Sequence, residues 1–234
     1  TLVYGAQALG LELTAAQIEL FCLYLRELKD WNRDVNLTAI TDEREIVIKH
    51  FLDSLACIRA APFREGMRVI DVGSGAGFPG VPLKIYEPGI KLTLLDSLAK
   101  RASFLRHLCW RLGLSGVEVL QARAEELGKV EGHREAYDRA LARAVAPLNV
   151  LVEYCLPFLV VGGIFLALKG PSGREELLYA EKAMRVLGGE IFEVVGYELP
   201  AGQGQRSILV IKKTKPTPPG FPRRPGVPAR SPLS

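Results

Sequence analysis

From Met67 onward, short apolar runs alternate with longer segments of helical periodicity, and no other feature restricts the fold so strongly. The runs are MRVIDV, KLTLLD, VEVLQA, DRALARAV, GGIFLALK, GEIFEVVGYEL and RSILVIKK, which predict seven strands. Between them lie PLKIYE, LAKRASFLRHLCWRLG, AEELGKVEGHREA, LNVLVEYCLPFL and GREELLYAEKAMRVLG, each suited to a crossover helix. Strand and helix in alternation mean βαβ units, hence an α/β fold with a mostly parallel sheet that binds ligands at the carboxyl ends of its strands. The last two strands are joined through YELPAGQGQ, too short for a helical crossover, so one of them runs antiparallel.

The residues before Met67 read as a helical extension, 1–62. Thr14 is placed as the N-cap of AAQIELFCLYLRELKDW, with Ile18, Phe21, Cys22, Leu25 and Leu28 at three- and four-residue steps. A second helical segment, EREIVIKHFLDSLACIRAA, ends near Pro62. The main domain spans 63–213. Beyond it, 214–234 carries seven prolines, which exclude helix and leave an extended arm that orders on a partner. Lys212 to Ser234 holds six bases and no acid, while the other 24 bases face 26 acids. The formal charge of +4 therefore belongs to the tail, where Arg223 and Arg224 offer phosphate contacts and Phe221 a ring to stack on a base. No apolar run reaches membrane-spanning length and the first residues lack a secretory pattern, so the chain reads as cytosolic. Cys22, Cys57, Cys109 and Cys155 show neither zinc nor disulfide spacing and read as four buried thiols, and no metal site is expected.

The stretch VIDVGSGAGFPG, Val69 to Gly80, ends the first strand and opens a helix. Its glycines permit positive φ and let a ligand lie against the backbone at a helix N-terminus. In the register that starts at the strand end, the dinucleotide fingerprint requires glycine where Phe78 stands, and Asp71 lies inside the strand. An acid followed by G-x-G-x-G points instead to the loop that binds S-adenosylmethionine. Asp71 orients the loop or attracts the cofactor's ammonium, Gly73 and Gly75 approach it, and Phe78 lies beside its methionine part. Asp96, at the end of the second strand, is placed to accept from ribose hydroxyls, or serves as a helix cap.

With these motifs the chain resembles the RsmG family, also called GidB, of bacterial small-subunit rRNA methyltransferases. The matching pieces are NLTAI (36–40), KHFLDSL (49–55), VGSGAGFPGVPLKI (72–85), RAEEL (123–127), RAVAPL (143–148), KGP (169–171) and the terminal FPRRPGVPARSPL. The resemblance implies a Rossmann-like class I methyltransferase fold, S-adenosylmethionine as cofactor, and methylation of one guanine at N7 in 16S rRNA. It also implies cofactor contacts at Gly73, Phe78, Asp96, Ser97, Leu98, Ala124, Glu125 and Arg143. The family's histidine before the last strand is replaced by Gln205, beside Arg206.

Guanine N7 carries an in-plane lone pair, so the reaction needs alignment and donors for the O6 edge rather than a general base. Arg143 and Lys169 stand where such donors belong, although Arg143 also suits an internal salt bridge. His50 and Asp53 share a helical face and either support the substrate side or brace the N-terminal helices. Asn36, His50, Asp53, Lys169, Arg206, Arg223 and Arg224 form the expected RNA side. The expected partner is 16S rRNA or the small ribosomal subunit, met by a cytoplasmic monomer. The competing readings are a non-catalytic RNA-binding or ribosome-assembly protein that keeps a cofactor-like loop, and an NAD-dependent oxidoreductase.

Overall fold

The computed structural model describes residues 1–233. Seven strands form one sheet in the order β3-β2-β1-β4-β5-β7-β6. They are β1 (Arg68–Val72), β2 (Lys91–Asp96), β3 (Val117–Gln121), β4 (Tyr137–Arg143), β5 (Leu159–Lys169), β6 (Gly189–Glu198) and β7 (Gln205–Lys213). All seven expected strands are present. β7 pairs antiparallel with both β5 and β6, and every other pairing is parallel. The short link through Pro200–Gly202 forces that reversal and slots β7 between its neighbours.

The sheet has a helical layer on each face. One holds α6 (Gly80–Tyr86), α7 (Ala99–Arg111) and the N-terminal helices α1 (Leu2–Ala8) and α2 (Ala15–Val35), whose Phe21, Tyr24 and Leu28 share a core with Leu83, Phe104, Leu94 and Leu166. The other holds α9 (Leu148–Cys155) and α10 (Gly173–Leu187), packing Leu151, Val152, Ala180 and Met184 against Ile70, Ala140 and Leu209. Thr14 caps α2 through a full capping box with Gln17. Of the periodic residues on α2, Phe21 and Leu28 are buried, but Cys22 is exposed and Tyr24 takes the central position, so three thiols rather than four lie inside.

Two helical expectations are corrected. The segment after Glu43 is α-helical at α3 (Glu43–Ile46), passes through a π-helical turn at Val47–Leu52, and resumes at α4 (Asp53–Leu55) and α5 (Cys57–Ala60). The segment after β3 is helical only at α8 (Ala124–Leu127); turns follow, and Gly132, at φ 85°, takes a left-handed backbone through which no α-helix continues.

The C-terminal arm is the larger correction. It lies on the α9 face, where Phe221 joins the apolar core and Pro222 and Pro228 are buried. Arg134 donates to the carbonyls of Thr217 and Phe221, and the Lys213 ammonium bonds Thr217 and the Leu156 carbonyl. Despite its prolines the arm ends in a single helical turn, α11 (Val227–Arg230), with proline at its start, where no N–H is needed. Phe221 is thus half-buried against this core rather than carried on a free arm.

Candidate cofactor and substrate cleft

The carboxyl ends of β1 to β5 open onto three adjoining cavities of about 320, 200 and 550 Å³. Gly73, Arg101 and Ala144 line both the first and second; His50, Arg143 and Ala144 line both the second and third. The result is one continuous cleft.

The glycine loop forms its floor. Gly73, Gly75 and Gly77 take φ of 75°, 58° and 97°. A Cβ on Gly73 would lie 2.6 Å from Val145 Cγ2, and one on Gly77 would lie 2.6 Å from the Tyr24 hydroxyl oxygen. Both positions therefore exclude side chains by left-handed backbone and by crowding. Gly75 is open above, with nothing nearer than the Gly73 carbonyl at 3.9 Å. Tyr24 donates its hydroxyl to the Ala76 carbonyl and stacks on Phe78, so α2 braces the loop from beneath.

Asp71 is fully buried. Its Oδ2 accepts the Gly80 N–H at 2.9 Å, and its Oδ1 has no hydrogen-bond partner among the described residues. Burial pushes its carboxyl from an ordinary 3.8 up to about 7, against the Gly80 N–H and Arg143, which pull it down. Its one side-chain hydrogen bond among the described residues ties the end of the glycine loop at the head of α6. Asp96 is 3% exposed; Oδ2 accepts from the Gly75 N–H and Oδ1 from the Leu98 N–H, each at 2.9 Å, with Arg101 at 3.7 Å. Its carboxylate retains lone pairs toward the 320 Å³ cavity, which Ser97, Ala124 and Glu125 also line. Leu98 is the N-cap residue of α7, half exposed, and its side chain lines none of the three cavities. Glu125 is buried and accepts the Gly226 N–H at 2.9 Å, so the arm reaches this cavity, and Ala229 forms part of its wall.

Phe78 is 4% exposed, stacked between Tyr24 and His50 with the Arg143 guanidinium 5.0 Å from its ring centre. Its ring thus supports the cleft from within the core. Arg143, at the end of β4, donates to the Lys49 carbonyl at 2.9 Å and Asp53 Oδ2 at 3.0 Å, and its second terminal nitrogen lies 3.1 Å from His50 Nδ1. His50 Nδ1 lies equally close, at 3.1 Å, to the Lys49 carbonyl, and Nε2 pairs with Thr38 Oγ1 at 2.9 Å, so both ring nitrogens are engaged. Burial, reinforced by the Arg143 charge, drops the His50 imidazole to about 3 and keeps it neutral. Asp53 accepts the Tyr197 hydroxyl at 2.7 Å on its other oxygen, with Arg206 Nε 3.8 Å away. His50 and Asp53 thus meet at Arg143, joined by the π-helical turn, and the internal ion pair considered for Arg143 is present.

Lys169 donates to the Ala146 carbonyl at 2.9 Å and Glu176 at 2.8 Å on the wall of the 550 Å³ cavity, which Lys49, Asp53 and Arg206 share. Asn36 is exposed in the left-handed cap of α2 and lies outside all three cavities; its neighbours Leu37 and Thr38 line the 200 Å³ one. Arg223 is not on a free arm: its guanidinium grips Glu153, which is 0% exposed, through Nε and a terminal nitrogen at 2.6–3.0 Å, and also donates to the Ser231 carbonyl. Arg224 beside it is exposed.

The family model of GidB, described as rRNA small subunit methyltransferase G, matches residues 17–208. The chain belongs to the GidB family. Ribosomal RNA small subunit methyltransferase G of Alkaliphilus oremlandii (strain OhILAs) is 53% identical over 229 residues, 98% of this chain and 96% of that protein. The protein of the same name from Pelotomaculum thermopropionicum is 48% identical over 233 residues, 100% of this chain and 98% of that protein. Among solved structures, TrmN from Thermus thermophilus aligns with a TM-score of 0.53 at 24% identity, covering 70% of this chain and 48% of that one. YcgJ of Bacillus subtilis aligns at 0.54 and 14%, covering 71% and 100%. These likenesses show the class I methyltransferase fold. GidB membership makes the protein a methyltransferase that uses S-adenosylmethionine.

The residues of this GidB chain fit that cofactor. A bare glycine floor, two buried carboxylates facing one cavity and a nearby cation at Arg101 suit a ligand with hydroxyls, an ammonium and a carboxylate. Sequence reasoning missed Thr38, Tyr197, Arg101, Glu153 and the turn at Ala144. Ala144 takes φ 55° and lines all three cavities. RAVAPL, already quoted for the resemblance, signalled that turn; nothing local signalled Tyr197 or Glu153.

Proposed function

We propose that the protein methylates N7 of a guanine in 16S rRNA, with the adenosine of the cofactor in the 320 Å³ cavity, its methionine part in the 200 Å³ cavity and the base in the 550 Å³ cavity. S-adenosylmethionine supplies an electrophilic methyl on a sulfonium. The observation that carries the reading is the junction at Arg143 and Ala144, where the base cavity meets the glycine floor. Its acceptors are already engaged: His50 is neutral with both nitrogens bonded, and both Asp53 oxygens hold donors. A site of that kind suits a nucleophile that arrives with its own lone pair and needs no proton removed.

The chain's part is then to bind, align and exclude water. Asp96 and Glu125 accept from the adenosine end, and the Gly75 opening admits the ligand to the main chain. Phe78, stacked between Tyr24 and His50, fixes the Arg143 guanidinium, whose charge lies beside the alignment point without a donor spent on N7. Lys169 and Arg206 face the base cavity as donors for guanine O6 or a phosphate oxygen. No helix among the described residues is long and apolar enough to cross a membrane. We place the reaction in the cytoplasm, with the protein acting as a monomer on the small subunit or its RNA.

The test is to incubate the protein with labelled cofactor and unmethylated small-subunit particles and to map the label by mass spectrometry. Label on N7 of a single guanine is expected; label on another base atom, or on protein, refutes the assignment.

A further inference from the structure

The arm that composition assigned to RNA is bound to the cofactor end of the cleft by buried chemistry. Glu153, on α9, has no solvent exposure, and a carboxylate so placed requires a charged, hydrogen-bonded partner. Arg223 supplies it: the main-chain N–H donates to Oε1 at 2.8 Å, and the guanidinium reaches Oε1 at 2.9 Å and Oε2 at 2.6 Å. Three residues further on, the Gly226 N–H donates to Glu125, and at Ala229 the arm becomes wall of the 320 Å³ cavity. Upstream, the Thr217 N–H donates to Glu135 at 2.7 Å, so the arm is held on both sides of the latch.

We propose that the Arg223–Glu153 pair is a positioning latch, docking the C-terminal arm so that Gly226 and Ala229 complete the adenosine end of the cofactor pocket. The proposal rests on the assignment of the 320 Å³ cavity to that end of the cofactor. Arg223 and Glu153 act through the arm and touch no reacting atom. Arg224, exposed and one residue away, is the internal control.

If loss of the latch leaves the arm docked a tenth of the time, the apparent affinity of any ligand that needs the wall falls about tenfold. Calorimetric titration with S-adenosylmethionine and with methylthioadenosine, which lacks the amino-acid end, reads this directly. Arg223→Ala is expected to weaken both ligands by the same factor of about ten, and Arg224→Ala to leave both unchanged. Ala229→Phe, on an exposed turn that tolerates bulk, is expected to weaken both with the melting temperature preserved. Wild-type affinity for both ligands in Ala229→Phe, or in folded Arg223→Ala, overturns the latch. Asp96→Ala separates the two layers of argument: if it also binds normally, the cavity assignment fails; if it alone weakens binding, only the latch fails.

Discussion

Replacing Asp71 with asparagine changes how stability depends on pH, and the direction follows from one buried atom. Oδ1 of Asp71 lacks a partner among the described residues, and burial raises the carboxyl from 3.8 to about 7 in the folded state. Between those values the folded protein holds a proton that the unfolded chain has released, so stability falls as pH rises. At about 1.4 kcal/mol per pKa unit, full ionisation costs on the order of 4 kcal/mol, of which about 2–3 is incurred between pH 5 and pH 8. Asparagine keeps an oxygen for the Gly80 N–H and removes the ionisation. Wild type should therefore lose about 5–10 °C of melting temperature across that interval relative to Asp71→Asn, at roughly 2–4 °C per kcal/mol for a chain of this size. Thermal melts in matched buffers from pH 5 to pH 8, without cofactor, give both curves. Parallel curves would show that Asp71 is ionised in the fold at all these values and would refute the reasoning.

Asp96→Ala removes the acceptor for the Gly75 and Leu98 N–H groups, and calorimetry should show S-adenosylmethionine binding weakened about 10- to 100-fold. Gly77→Ala sets a methyl 2.6 Å from the Tyr24 hydroxyl at φ 97°, and denaturant melts should show a loss of about 2–4 kcal/mol. Arg206→Ala should raise the KM for small-subunit particles and leave cofactor affinity as it is, since its guanidinium lies on the base cavity alone; a matching loss of cofactor affinity would contradict the division of the cleft.

The sequence alone determined the sheet, because strand and helix periodicities are properties of neighbouring residues. Seven apolar runs became seven strands, and a connection too short to cross over made β7 antiparallel. The glycine loop was legible for the same reason: left-handed backbone is demanded locally, by Gly73, Gly75 and Gly77 themselves. Asp96 was legible from its place at the end of β2, whereas Ser97, Ala124 and Glu125 were implied by the family resemblance; all four line one cavity.

Tertiary structure decided which partner each charge takes. Arg143 reads equally as a substrate donor or an ion-pair member until Lys49, His50 and Asp53, at least 90 positions away, are in place. The turn that carries Lys49 and His50 and leads into Asp53 is π-helical, and the EREIVIKHFLDSL pattern does not distinguish its register from an ordinary α-helix. The arm is the clearest case. Its prolines and arginines are the composition of a solvated segment, yet the folded chain meets it with partners far away in sequence: Arg134, Glu135, Glu125 and Glu153, the last a fully buried carboxylate 70 residues earlier. Local sequence sets the backbone's choices, whereas pairing a buried charge is a long-range decision that only the folded chain can make.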